Sequence, residues 1–217
     1  MSELLGSLIK VSYLKKSYGR KRILNDLCID VNSGEIAVIH GDNGSGKTTL
    51  QMIISSLIST DSGVVEVCGL DVGSSKTRSL LGLVAHTPFL YGPLTILENL
   101  SFFSKLYSTN TDPIDSDRFQ NLIHRLGLDS KLTQKVDTLS HGFRKRVSIA
   151  RALINDPKVL LLDEPESGLD NATKDIFQGI ILEFATLGGS VLVTTHDRTL
   201  ELGSHASYYV MVNGKVT

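Results

Sequence analysis

The stretch Ile36-Ala37-Val38-Ile39-His40-Gly41-Asp42-Asn43-Gly44-Ser45-Gly46-Lys47-Thr48-Thr49-Leu50 decides how this chain is read. It opens on a short apolar run, passes through a glycine-rich turn and enters a helical pattern over 49–57. Residues 41–48 match G-x-x-x-x-G-K-[ST], with a strand before and a helix after, the context that gives the pattern physical meaning. Glycines let successive backbone N–H groups turn inward around phosphate oxygens at the positive end of the following helix. Lys47 is placed to reach the β- and γ-phosphates, and the Thr48 hydroxyl to ligate Mg²⁺. Gly41, Asp42, Asn43, Gly44, Ser45, Gly46 and Thr49 complete the candidate contact set. Chance produces this pattern in a chain of this length with a probability of roughly 1% at average usage, so an inert glycine-rich loop is the poorer reading.

The second half of such a site is Val159-Leu160-Leu161-Leu162-Asp163-Glu164. An apolar strand brings Asp163 beside the phosphate loop, where a carboxylate holds Mg²⁺, usually through water. Glu164 falls just past the strand end, placed to orient or deprotonate an attacking water. Alone, an apolar run followed by acids is a weak signal; downstream of a phosphate loop it is a strong one.

Outward from these two segments, short apolar runs at 9–14, 27–31, 64–67, 81–85, 191–194 and 208–212 read as further strands. The runs at 36–39, 159–162 and 191–194 are apolar without alternation, as parallel strands covered on both faces require. Those at 9–14 and 27–31 are more polar and flank a turn rich in Gly, Lys and Arg, which predicts an antiparallel hairpin. Asn213-Gly214 predicts a second hairpin. Between about 93 and 155 the period turns helical: Leu97, Leu100, Phe103 and Leu106, then Phe119, Leu122, Ile123 and Leu126. The polar stretch 108–117, with Pro113, reads as the loop between these helices, and a third helix spans 143–154. The expected fold is α/β: a mainly parallel sheet with an N-terminal antiparallel β subdomain and a helical subdomain inserted at about 93–155. One domain over 1–217 is expected.

Composition is that of an ordinary globular chain, 41% apolar and 21% charged, and needs no disulfide or structural metal. The net charge of −1 gives no electrostatic reason to expect nucleic acid as a partner. Arg20-Lys21-Arg22 and Arg144-Lys145-Arg146 read as solvated surfaces, and Cys28 and Cys68 as two buried thiols. The N-terminus lacks a signal-peptide pattern, and no run approaches the ~18 apolar residues that span a bilayer. Any membrane connection is expected through another chain.

Leu139-Ser140-His141-Gly142, followed by a helix carrying Arg146 and Ala150-Arg151-Ala152-Leu153, resembles the signature motif of ATP-binding-cassette (ABC) proteins. It stands about 20 residues before Asp163-Glu164-Pro165, as in that family. Tyr18 matches the family's adenine-stacking aromatic, Ser167-Gly168-Leu169-Asp170 its D-loop, and His196 in Thr195-His196-Asp197 its switch histidine. The resemblance runs from about residue 8 to the end. It implies a P-loop NTPase core and an ATPase that uses ATP and Mg²⁺. The catalytic set is Lys47, Glu164 and His196; nucleotide contacts extend to Tyr18, Ser140, Gly142 and Asp170; metal contacts are Thr48 and Asp163. It further implies a head-to-tail dimer, with a second copy or a related ATPase, that drives a transmembrane permease from the cytoplasmic face of the membrane.

Three positions depart from the family pattern. The signature carries His141 for Gly and Phe143 for Gln, while Ser140 and Gly142 are intact. His86 stands where the family has the glutamine that senses metal and permease. Imidazole nitrogen is a poor direct ligand for Mg²⁺, so His86 joins the metal site through a bound water at most. The stretch 84–100 is most similar to small export-type cassettes, including the haem-exporter subunit of cytochrome c maturation. The competing reading is a soluble ABC ATPase, of which an iron–sulfur assembly cassette fits best: no heptad insertion and no second cassette is present.

Overall fold

The computed structural model describes residues 6–107, 114, 116–197, 202–203 and 206–217. Strands β1 (Ser7–Tyr18), β2 (Lys21–Asn32), β3 (Ile36–His40), β4 (Ser62–Val67), β5 (Leu70–Asp71), β6 (Leu81–Val84), β7 (Val159–Asp163), β8 (Ser190–Thr195), β9 (Ala206–Val212) and β10 (Lys215–Val216) form two sheets. The helices are α1 (Lys47–Ile54), α2 (Ser75–Ser79), α3 (Ile96–Tyr107), α4 (Asp117–Arg125), α5 (His141–Leu153) and α6 (Asn171–Thr186).

The larger sheet has the order β10-β9-β3-β8-β7-β6. Its strands β9, β3, β8, β7 and β6 are all parallel, and β10 closes antiparallel on β9 through the turn at Asn213-Gly214. β7 and β8 are buried at every position, which explains their unbroken apolar sequences: helices and a second sheet cover both faces. The smaller sheet, β2-β1-β4-β5, is antiparallel throughout. The expected α/β architecture with its antiparallel N-terminal part is thus present.

Two apolar cores lie on opposite faces of the parallel sheet. One packs Ile39, Leu161 and Leu192 against α1 and the N-terminal hairpin. The other packs Val38, Leu162 and Val193 against α6 and the α3–α5 insert, which lies between β6 and β7 in the chain.

Several local readings differ. β1 and β2 are each 12 residues long, where 9–14 and 27–31 were expected. Register shifts in the hairpin, with positive φ at Tyr13 and Asp26, interrupt the alternation on which strand length is read. α5 starts at His141, not 143, because the Ser140 hydroxyl accepts a hydrogen bond from Phe143 N and caps the helix. The 16-residue α6 was not anticipated, although Asp170 caps it and Phe177, Ile180, Ile181 and Phe184 bury one face. Cys28 is exposed and Cys68 only partly buried, correcting the reading of two buried thiols. In β2, buried Leu27 and Ile29 alternate with the outward Cys28. The expected loop at 108–117 falls largely outside the described residues. Among the described residues no helix is long and apolar enough to cross a membrane.

Candidate nucleotide site

In parallel α/β sheets, ligands bind at the carboxyl ends of the strands. Here β8 lies between β3 and β7, so the phosphate loop after β3, the acids ending β7 and Thr194-Thr195-His196 at the end of β8 converge.

The loop is shaped by close packing. Gly46 has φ 114°, and a Cβ there would lie 2.8 Å from Leu24 Cδ2 and 3.2 Å from Ile23 O, so the hairpin backs directly onto it. No side chain caps α1 and its first turn holds no acid, which leaves the helix N-terminus to an incoming anion. The buried Ser45 hydroxyl has no protein partner. Lys47 is buried, and its Nζ donates to Gly41 O at 2.6 Å and Asp42 O at 3.0 Å. Asp42, Asn43 and Gly44 form the exposed rim, Thr49 lies half-buried in α1, and Tyr18 stands exposed at the tip of the same hairpin. The Lys16 ammonium lies 5.6 Å from the Tyr18 ring centroid.

Asp163 is 2% exposed, with both carboxylate oxygens engaged: Thr48 Oγ1 donates to Oδ2 at 2.9 Å and Thr194 Oγ1 to Oδ1 at 2.7 Å. Gln51 Nε2 donates to Leu162 O at 2.7 Å and Thr194 Oγ1 at 2.9 Å. An amide N–H can only donate, so the Thr194 proton is directed onto Asp163. Thr48 likewise spends its proton on Asp163 and keeps oxygen lone pairs for a cation. A hydroxyl and a carboxylate oxygen side by side, next to an uncapped helix N-terminus and a lone buried serine hydroxyl, fit Mg²⁺ with nucleotide phosphates.

Glu164 sits in the left-handed region at φ 46°, its N–H donating to Thr194 O at 2.8 Å. Its carboxylate lies between two histidines: His196 Nδ1 is 2.9 Å from Oε1, and His86 Nε2 is 3.8 Å from Oε2. An ionised carboxylate only accepts, so Nδ1 of His196 carries the proton. His86 also lines a cavity of about 280 Å³ with Thr48, Gln51 and Asp163.

Ser140 and Gly142 lie at the head of α5. Their neighbours are Phe143, bonded to the Ser140 hydroxyl, and Gly168 O, 3.0 Å from where a Gly142 Cβ would stand. The His141 ring packs on Gly168, where a Cβ would come within 2.1 Å of His141 Cδ2; only glycine fits beneath that ring. Asp170 caps α6 through Thr173 N at 2.8 Å and pairs with Arg146 at 3.1 Å. The Thr173 amide, its hydroxyl and then Arg146 hold the Asp170 carboxyl below the usual carboxylate range.

Sequence reasoning missed Gln51 and misplaced Lys145. Gln51 is one helical turn past Thr48 on the same face of α1, a spacing that pointed to the site. Lys145 was grouped with Arg144 and Arg146 as a solvated surface, yet it is 1% exposed. Helical geometry places it on the buried stripe with Ile149 and Ala152, while Arg144 binds Leu139 O and Asp137 O. Burial pushes the Lys145 ammonium below the ordinary lysine value, against the opposing pull of the Glu166, Asp163 and Glu164 carboxylates.

The sequence profile of the family "ABC transporter" matches residues 24–167. The ABC transporter ATP-binding protein YdbJ of Bacillus subtilis is 38% identical over 87% of this chain and 61% of its own length. The Nod factor export ATP-binding protein I of Rhizobium etli is 33% identical over 87% of this chain and 60% of its own length. The chain therefore spans about three fifths of these relatives. The solved dimeric post-hydrolysis structure of the ATP-binding cassette MJ0796, bound to ADP and Pi, superposes with a TM-score of 0.85 at 26% identity, covering 96% of each chain. With the phosphate loop, the Asp163-Glu164 pair and His196 meeting at one edge of the sheet, and with this profile match, the chain belongs to the ABC transporter family.

Proposed function

We propose that this chain is the ATP-hydrolysing motor subunit of an export-type membrane transporter. The observation that carries the reading is the pair of contacts Thr48–Asp163 and Glu164–His196 beside an uncapped helix N-terminus. Bound at Thr48 and Asp163, Mg²⁺ would neutralise phosphate charge and polarise the γ-phosphoryl group. Lys47 exchanges its two carbonyl partners for phosphate oxygens. Glu164, with His196 Nδ1–H steadying one carboxylate oxygen, uses the other to take a proton from the attacking water. Tyr18 stacks on the adenine.

Ser140 and Gly142 would meet the γ-phosphate of another molecule: Ser140 is exposed at the head of α5 and Gly142 stands beside it against Gly168 O. Two copies, or this chain and a related ATPase, placed head to tail would each close the other's site. Hydrolysis removes the bridging phosphoryl group and lets the pair open, a ligand-biased two-state element. The permease docks beside His86, where Phe89, Tyr91, Leu97, Phe102 and Leu106 expose apolar surface on the insert. Arg151 binds Phe89 O and Leu83 O and stacks on Phe103, tying that surface to the end of β6. The export direction rests on the Nod factor export relative; haem as cargo rests on the stretch 84–100 alone, since cargo meets the permease and not this chain.

Two measurements test the proposal. The purified chain should hydrolyse ATP only with a divalent cation. From detergent-solubilised membranes it should bring down a polytopic membrane protein. A chain that hydrolyses ATP and returns alone from such membranes favours the iron–sulfur assembly reading and sinks the transport one.

A further inference from the structure

Three consecutive carbonyls at the end of β7 each receive a side-chain donor from a helix. Leu162 O takes Gln51 Nε2 of α1 at 2.7 Å, while Asp163 O and Glu164 O take Lys145 Nζ of α5 at 3.4 and 3.0 Å. The last of these peptides is the strained one: Glu164 is held at φ 46°, which a residue with a β-carbon adopts only under restraint. Lys145 is 1% exposed, so water cannot readily stand in for it. A buried cation adds little stability over apolar packing, and its burial here is compensated by the Asp163, Glu164 and Glu166 carboxylates around it. What an ammonium adds is geometry: several N–H donors on one atom, aimed at two successive carbonyls.

We infer that Lys145 is a positioning residue for hydrolysis, its ammonium locking the Glu164 peptide in the left-handed conformation that aims the carboxylate between His86 and His196. The Lys145 ammonium donates to the main-chain carbonyls of Asp163 and Glu164, so it acts on the backbone that carries the two carboxylates. It lies one turn along α5 from His141, so the aim of the carboxylate follows the seating of the helix whose head carries Ser140 and Gly142.

The inference rests on the ATPase reading above, and the experiment separates the two. Wild type and Glu164→Gln come first: a wild-type chain that binds but never hydrolyses ATP brings down the ATPase reading itself. Given hydrolysis, Lys145→Met keeps an unbranched chain, one bond shorter, and removes every donor. We expect kcat to fall on the order of 10- to 100-fold, as small misplacements of catalytic groups do. The Kd for Mg-ATP should stay within about twofold, because transition-state aim is lost and ground-state binding is not. Lys145→Gln, shorter by one bond and able to reach one carbonyl, should return part of the lost kcat. A folded Lys145→Met with wild-type kcat overturns the inference, and so does a Kd that weakens in step with kcat, the mark of a merely structural role. Thermal unfolding identifies a misfolded Lys145→Met, and Lys145→Gln then decides: reduced kcat at unchanged Kd supports the inference, wild-type kcat overturns it.

Discussion

Two helix N-termini belong to the proposed phosphate site, and they are built in opposite ways. α1 begins without a side-chain cap, at a buried lysine, against a hairpin that leaves no room for a side chain at Gly46. Beside it, Asp163 is locked by Thr48 and Thr194, with Gln51 behind. α5 begins at the surface, capped by its own Ser140, with His141 exposed and laid on Gly168. The first end is organised by its own chain before any ligand arrives. The second spends a cap on itself and offers the remainder outward. Preorganisation within one chain serves binding; in the proposed head-to-tail pair, the surface-presented helix end would make a second molecule part of the catalytic unit.

Five substitutions sharpen or break this contrast. Glu164→Gln preserves shape and removes the base, so kcat should fall on the order of 10²- to 10⁴-fold while Mg-ATP still binds. Single-turnover hydrolysis beside a binding titration separates these, and a mutant of normal kcat would remove Glu164 from the mechanism. Lys47→Ala deletes charged hydrogen bonds worth about 1.5–3 kcal/mol, roughly 10- to 100-fold in affinity. Equal affinities for mutant and wild type would break the claim that the α1 end is the primary phosphate site.

Tyr18→Ala should cost about 1–3 kcal/mol of nucleotide affinity through lost base stacking. Stacking ignores base identity, so ATP and GTP should weaken together; a loss confined to ATP means hydrogen-bond readout instead. Ser140→Ala tests the other helix end. It removes the cap of α5, at about 1 kcal/mol of stability. It should leave ATP affinity of the isolated chain intact while abolishing the ATP-dependent dimer that Glu164→Gln accumulates in sedimentation. Loss of affinity in the monomer would mean that the two ends are not independent. His86→Ala is likewise expected to change Mg-ATP affinity by no more than about twofold, because imidazole nitrogen is a poor direct ligand for Mg²⁺ and the His86 ring lies 3.8 Å from Glu164. Hydrolysis stimulated by the permease should drop, and a large loss of Mg-ATP binding would place His86 on the metal.

By itself the sequence settled the parallel strands, the glycine-rich loop before α1, the acids at the end of β7 and the order of the family's segments. Each of these is written locally: a both-faces-buried strand is an unbroken apolar run, and a phosphate loop is a run of glycines before a lysine. The N-terminal hairpin was visible but too short in the reading, because bulges break alternation without changing composition. Only the tertiary structure decided what Gln51 and Lys145 do. Their partners are backbone carbonyls 111 and 19 residues away in sequence, and a carbonyl leaves no mark on residue type. The same holds for His141, whose place depends on the absence of a side chain at Gly168, and for Glu164, whose placement between two histidines depends on the ends of β6, β7 and β8 meeting at one edge. A residue's type records which contacts it is able to make; folding decides which of those contacts are within reach.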